Sequence, residues 1–100
     1  VIRLKIMSSN SSTSKVKSTC PCCHYVTLKE RNIYEICPVC YWEDEGEKWD
    51  QELDLESGAN HGVTLREARR NFKEFGASDK KWVDEVIPEE NRSRYKFNLP

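Results

Sequence analysis

Four cysteines in two matching brackets carry the clearest chemistry in the chain. Cys20-Pro21-Cys22-Cys23 and Cys37-Pro38-Val39-Cys40 both read Cys-Pro-x-Cys, and 13 residues separate Cys23 from Cys37. Zinc takes four ligands in a tetrahedron, and two Cys-x-x-Cys turns deliver four thiolates from short loops with little strain. Pairs of such motifs are a zinc signature at intervening lengths of roughly 15 to 20 residues, and the shorter spacing here implies a tight hairpin between them. Pro21 and Pro38 pre-set φ inside each turn, which lowers the entropy lost as the ligands converge. The spacing therefore predicts Cys20, Cys23, Cys37 and Cys40 as ligands of one structural zinc ion. Such an ion contributes on the order of 10 kcal/mol to the folding of a small domain. Four cysteines alone do not separate zinc from iron.

Other thiol chemistry fits less well. A redox Cys-x-x-Cys of the thioredoxin kind opens a helix after a strand, and neither pair here is followed by helical periodicity. Cys22, the fifth cysteine, matches Val39 of the second turn, a non-ligand position expected to point outward. It reads either as a thiol activated by the nearby metal or as a tolerated small residue, and the second reading is preferred because only His24 stands nearby as a base. His24 takes the place where such turns usually carry Gly, a place that often needs positive φ, so it reads as a turn residue and not a ligand. His61 sits in Asn60-His61-Gly62, before a helix start. A zinc with four thiolates has no open position for water, which argues against metal catalysis and predicts a protein that is not an enzyme.

The segments between and after the cysteines must bring these turns together. Tyr25 to Leu28 and Ile33 to Ile36 are short β-branched and aromatic runs joined by Lys29-Glu30-Arg31-Asn32, which predicts a β-hairpin returning the second turn beside the first. Trp42 to Gly62 has no sustained period and reads as a long loop, with Trp42, Trp49, Leu53 and Leu55 pinning it to the core. Thr64 and Glu67 form a capping-box pattern, Val63 can staple onto Ala68, and Gly76 supplies the stop, so a helix is predicted from Thr64 to Gly76. Leu65, Ala68, Phe72 and Phe75 share its apolar face. A second, shorter helix is predicted from Ser78 to about Val86, ended by Pro88, with Trp82, Val83 and Val86 as its apolar side. The tail from Glu89 to Pro100 carries Tyr95, Phe97 and Leu99 and either docks as an edge strand or stays loose.

The fold class that follows is α+β: a small zinc-ribbon-like β-hairpin with two metal knuckles, packed against one or two short helices. Residues 1–19 are assigned to a disordered N-terminal arm, because Ser8 to Thr19 is mostly Ser and Thr and cannot offset its ordering entropy. Residues 20–88 form the domain and residues 89–100 a C-terminal tail. A chain of 100 residues with 37% apolar content supports one domain with a thin core, which is where a metal helps most. Met7 is a candidate start with Val1 to Ile6 an upstream extension, although Val1 could equally mark a non-ATG start. Val1 to Met7 lacks the apolar run and cleavage site of a secretory signal, so the expected location is the cytoplasm, with reduced thiols. No stretch reaches the roughly 18 apolar residues of a spanning helix, so no membrane partner is expected.

Charge is unevenly spread. The net charge is −1, yet residues 43–56 carry eight acids against Lys48 alone. With Trp42 and Trp49 interleaved, Glu43, Asp44, Glu45, Glu47 and Asp50 form a candidate surface for a basic protein partner. The plainer reading is a solvated loop. Inhibitors of basic nuclease toxins use the same physics, so by analogy a bacterial toxin is the most concrete partner. Nucleic acid is the competing partner, through Arg66, Arg69, Arg70 and Lys73 opposite the apolar face of the helix. Glu67 and Glu74 interrupt that stripe, and it could instead pair within the molecule with residues 43–56.

Several separated motifs resemble the bacterial cysteine-rich CPCC family. They are Cys20-Pro21-Cys22-Cys23, the run from Tyr34 to Asp44 (YEICPVCYWED), and Leu65 to Phe72 (LREARRNF) with Phe75-Gly76-Ala77-Ser78. His24 departs from the family's usual Gly, which puts the turn geometry there in question. The resemblance implies a zinc-ribbon-like domain whose function is uncharacterised.

Overall fold

Each Cys-Pro-x-Cys turn is the tip of its own small hairpin. In the first, the His24 N–H donates to the Cys20 carbonyl at 2.9 Å and the Cys20 N–H to the Tyr25 carbonyl at 2.9 Å. In the second, Tyr41 donates to Cys37 at 2.7 Å and Cys37 to Trp42 at 2.9 Å. The residue after each second cysteine is left-handed, His24 at φ 68° and Tyr41 at φ 69°. Below the tips the flanking chains run antiparallel, Thr19 opposite Val26 and Ile36 opposite Glu43. The structure is a computed structural model that describes residues 15–99.

This arrangement corrects the predicted hairpin between Tyr25–Leu28 and Ile33–Ile36. Strand β2 (Val26–Leu28) pairs instead with β1 (Ser18–Thr19), with Ser18 opposite Leu28 and a register shift between Ser18 and Thr19. The cysteine turn already reverses the chain, so the partner strand lies before the cysteines and not beyond the Lys29–Asn32 loop. Residues 33–36 instead lie along the segment after the second turn, through the Ile36–Glu43 bridge and the backbone bonds of Tyr34 and Glu35 with Asp44. The α+β class stands, with one antiparallel pair of strands and short helices among the described residues. Ser18 and Thr19, assigned to the arm, belong to the sheet; residues 1–14 of that arm lie outside the described residues.

The far edge of β2 is covered by the tail. A 3-10 helix, Glu89–Arg94, follows Pro88. Beyond it the Val26 N–H donates to the Lys96 carbonyl at 2.8 Å and the Asn98 N–H to the His24 carbonyl at 2.7 Å. Tyr25 and Phe97 form the bridge between them, with ring centroids 5.0 Å apart. The tail therefore docks as an edge.

The main helix, α2 (Leu65–Phe75), has the predicted ends. The Thr64 hydroxyl accepts from the Glu67 N–H at 3.1 Å while the Glu67 carboxylate accepts from the Thr64 N–H at 3.0 Å. Gly76, at φ 83°, closes the helix by donating to the Phe72 carbonyl, a conformation that suits a residue without Cβ. Leu65 and Ala68 are fully buried and cap the core formed by the cysteines, Leu28, Val39 and Trp42. Phe75, expected on that face, is 41% exposed, its ring beneath the Lys80 ammonium.

The predicted second helix from Ser78 to Val86 shrinks to one 3-10 turn, Lys80–Trp82, capped by Asp79 and not by Ser78. Ser78 is buried and committed elsewhere: its N–H donates to the Cys40 carbonyl at 2.7 Å and its carbonyl accepts from Asn71 at 2.9 Å. The stretch read as a long loop contains a short helix, α1 (Lys48–Gln51), and a 3-10 turn, Gly58–Asn60. Among the described residues no helix is long and apolar enough to cross a membrane.

Candidate metal centre

The two hairpin tips face each other and bring four sulfurs together. Those of Cys20 and Cys40 lie 3.6 Å apart, and those of Cys23 and Cys37 lie 3.7 Å apart. All four ligand atoms fall within 4.8 Å of one another, and all four residues are buried. Thiolates about 2.3 Å from a central zinc stand about 3.8 Å apart along the edges of a tetrahedron. The cysteines are free, and their separations far exceed the roughly 2.05 Å of a disulfide. A space this small encloses one ion and not a multi-iron cluster.

Electrostatics gives the donor set a reason to hold a cation. Burial pushes the Cys20 and Cys40 thiols well above their ordinary value. Cys37 suffers the same burial but is held well below that value by hydrogen bonds from Cys20, Cys23, Cys40 and Thr27. Converting all four to thiolates in a buried site requires a compensating positive charge, which a divalent metal supplies. The residues present fit such an ion.

Surrounding groups hold the two tips. The Thr27 hydroxyl, buried on β2, donates to the Cys37 sulfur at 3.1 Å and so links the first hairpin to a ligand of the second. Arg69 of α2 donates to the Pro21 carbonyl at 2.9 Å, and the Ile87 N–H donates to the Pro38 carbonyl at 3.1 Å. Thr27 went unnoticed in the sequence because nothing in a three-residue strand marks one threonine as a ligand's neighbour. Cys22 does not point outward as expected: it is 2% exposed and packs in the core, as does Val39 at the matching position. Arg69, Arg70, Phe72 and Lys73 of α2 lie beside Cys22 at the first tip. His24 is a turn residue, and partial burial, then the charge of Arg69, hold its imidazole below the ordinary value.

The acidic candidate surface divides into an inner and an outer part. Trp42 is 1% exposed and Asp44 fully buried, so neither can meet a partner in the folded chain. Asp44 is held by the Arg31 guanidinium through two bonds of 2.8 and 3.0 Å and by the Asn32 N–H at 2.9 Å. The same guanidinium grips Asp50 at 3.0 and 2.7 Å. Arg31, read only as a turn residue, is thus the clamp that turns the acidic segment inward. Glu45 accepts from Ser57 at 2.7 Å, and the indole N–H of Trp49 donates to the Glu56 carbonyl at 3.1 Å. Glu47 stays exposed and Glu43 half-buried.

The basic stripe is partly consumed in the same way. Arg66 pairs with Asp54 at 2.8 Å, and this bond holds the Asp54 carboxyl below its ordinary value. Arg69 is tied to Pro21, while Arg70 and Lys73 remain exposed.

Comparison with known proteins adds one finding. A family model described as cysteine-rich CPCC matches residues 18–93. No curated protein and no solved structure matches the chain. The matched span runs from β1 through both cysteine tips and α2 to the 3-10 helix of the tail, and the chain belongs to the cysteine-rich CPCC family.

Proposed function

We propose that this protein is a non-enzymatic module in which Cys20, Cys23, Cys37 and Cys40 hold one structural zinc ion and the surface beside them receives a protein partner. The observation that carries the first half is the set of four buried sulfurs within 4.8 Å. Four thiolates fill a tetrahedron, so the ion acts as a cross-link in place of a larger core and offers no site for water or substrate. Reduced thiols suit a cytoplasmic setting.

The second half rests on what stays outside. Ile33, Tyr34 and Ile36 are 50%, 56% and 43% exposed in one short stretch. Backbone bonds set that stretch alongside the acidic segment: Tyr34 donates to the Asp44 carbonyl and Asp44 to the Glu35 carbonyl. The result is an apolar strip edged by Glu43 and Glu47. Apolar anchors beside negative charge favour a basic protein, and an inhibitor of a basic toxin is the most concrete version.

Metal analysis of the purified chain tests the site, with one zinc per chain expected and none in Cys37→Ser. A monomer that folds without zinc or iron overturns it. Co-expression with the product of a neighbouring toxin gene tests the partner: rescue of growth is expected, and its loss in Tyr34→Ser with zinc content unchanged. Binding to nucleic acid at low salt, abolished in Arg70→Ala with Lys73→Ala, would move the function to the other face.

A further inference from the structure

A hollow of about 200 Å³ lies between the second cysteine tip and the Lys80–Trp82 turn, lined by Ile36, Tyr41, Glu43, Asn60, His61 and Trp82. Three of these are rings set at angles to one another. The Tyr41 and Trp82 centroids are 4.9 Å apart with planes tilted by 41°, and those of His61 and Trp82 are 6.1 Å apart with planes tilted by 47°. Tyr41, Trp82 and His61 thus form one contiguous group of rings in the wall of the hollow. We propose that this hollow is a receptor for an alkylammonium group, such as the end of a lysine side chain.

Several observations converge on that ligand. The lining carries one carboxylate, Glu43, and no lysine or arginine. An ammonium within about 6 Å of an aromatic centroid is attracted by the ring quadrupole, tryptophan most strongly. Trp82 already takes such a contact from its own chain, with the Lys81 ammonium 5.1 Å from its ring. Sites for whole small-molecule ligands run from about 300 to 1,000 Å³, so this one is sized for a single side-chain terminus.

The walls are also held before any ligand arrives. The backbone of Glu43 is clamped on both sides by Asn60, whose Oδ1 accepts from the Glu43 N–H at 2.9 Å and whose Nδ2 donates to the Glu43 carbonyl at 2.9 Å. Tyr41 is fixed by the cysteine tip, through its N–H to the Cys37 carbonyl. His61, at φ 58°, closes the Gly58–Asn60 turn by donating to the Gly58 carbonyl. Tyr41 sits at φ 69°, where glycine would be unstrained and a bulky side chain is an outlier. The turn imposes that conformation, as it does at His24 of the first tip, and so fixes where the Tyr41 side chain leaves the backbone. Rigid walls lower the entropy lost on binding.

The choice of a protein lysine as carrier rests on the interaction reading above; binding of small ammonium ions does not. The test uses the zinc-loaded full chain, labelled with ¹⁵N and titrated with tetramethylammonium and butylammonium chlorides against sodium chloride and tert-butanol. Saturable shifts are expected at the Trp82 indole N–H and at the Tyr41 and His61 amides, but not at the Trp49 indole. Tyr41→Gly suits the left-handed backbone and should keep zinc and fold while weakening binding about tenfold, as should Glu43→Gln. Equal binding of tert-butanol, no response beyond sodium chloride, or full affinity in folded, zinc-loaded Tyr41→Gly would each overturn the proposal. A chain that binds the ammonium ions but no basic protein would uphold this site and sink the partner reading instead.

Discussion

The Thr27 hydroxyl donates to the Cys37 sulfur across 3.1 Å, in a position where both residues are buried. The bond places a donor from β2 on a ligand that belongs to the other hairpin. It stabilises charge on that sulfur and fixes the distance between the halves. Groups that support a metal ligand in this way typically contribute 10- to 100-fold in affinity, so Thr27→Val is expected to weaken metal binding by about that factor. Competition with a chelator measures it. Thr27→Ser keeps the hydroxyl and should restore most of the affinity; equal affinities for all three chains would contradict the role.

The ligand set itself divides the five cysteines. Cys37→Ser should lose the ion and, with it, the cooperative unfolding transition. Cys22→Ser should keep one ion per chain, because Cys22 lies outside the group of four although it is buried beside it. Acid acts in the direction of the Cys37 variant: zinc binding needs thiolates, so lowering the pH protonates the ligands and releases the metal. Metal content and circular dichroism followed together through an acid titration check this, and a fold that outlasts its metal would count against it.

Arg31 is the only cation bonded to Asp44 among the described residues. Removing one partner of a buried pair leaves the other charge without compensation, at about 3–5 kcal/mol. Arg31→Met should therefore lower the stability of the zinc-loaded chain by about that much in urea unfolding. A loss below about 1 kcal/mol would mean that the pair behaves as an exposed one.

Position 24 gives a backbone prediction. The left-handed conformation costs an L-residue about 1–2 kcal/mol, and glycine escapes it. His24 adopts φ 68°, so His24→Gly should be more stable than His24→Ala by about 1 kcal/mol. Thermal unfolding at saturating zinc compares the two, and the reverse order would refute the assignment of strain.

Local signals were the legible ones. The Cys-x-x-Cys spacing announced the four sulfurs, and the Thr64, Glu67 and Gly76 pattern announced α2, because each depends on residues a few positions apart. Partnerships at longer range were hidden. Tyr25–Leu28 carries strand chemistry, but two turn signals flank it, and the sequence does not say which one reverses the chain. Trp42 and Asp44 looked like a surface because the guanidinium that draws Asp44 inward stands 13 residues away, in a tetrapeptide that resembles a plain turn. The tail, left open between docked and loose, is decided by bonds between Lys96 to Asn98 and the far edge of β2.

The matching hydrogen bonds of the two cysteine tips have a consequence for the order of assembly. Each tip closes between residues no more than five apart, Cys20 with Tyr25 and Cys37 with Trp42, and contacts so local form quickly and at little entropic cost. An ion can then be captured by either pair of thiolates before the halves meet, with the second pair arriving as one preformed claw. Stopped-flow absorbance should resolve thiolate binding in two phases, only the slower of which coincides with the folding of α2. A single concerted phase would mean that neither claw exists until the metal joins them.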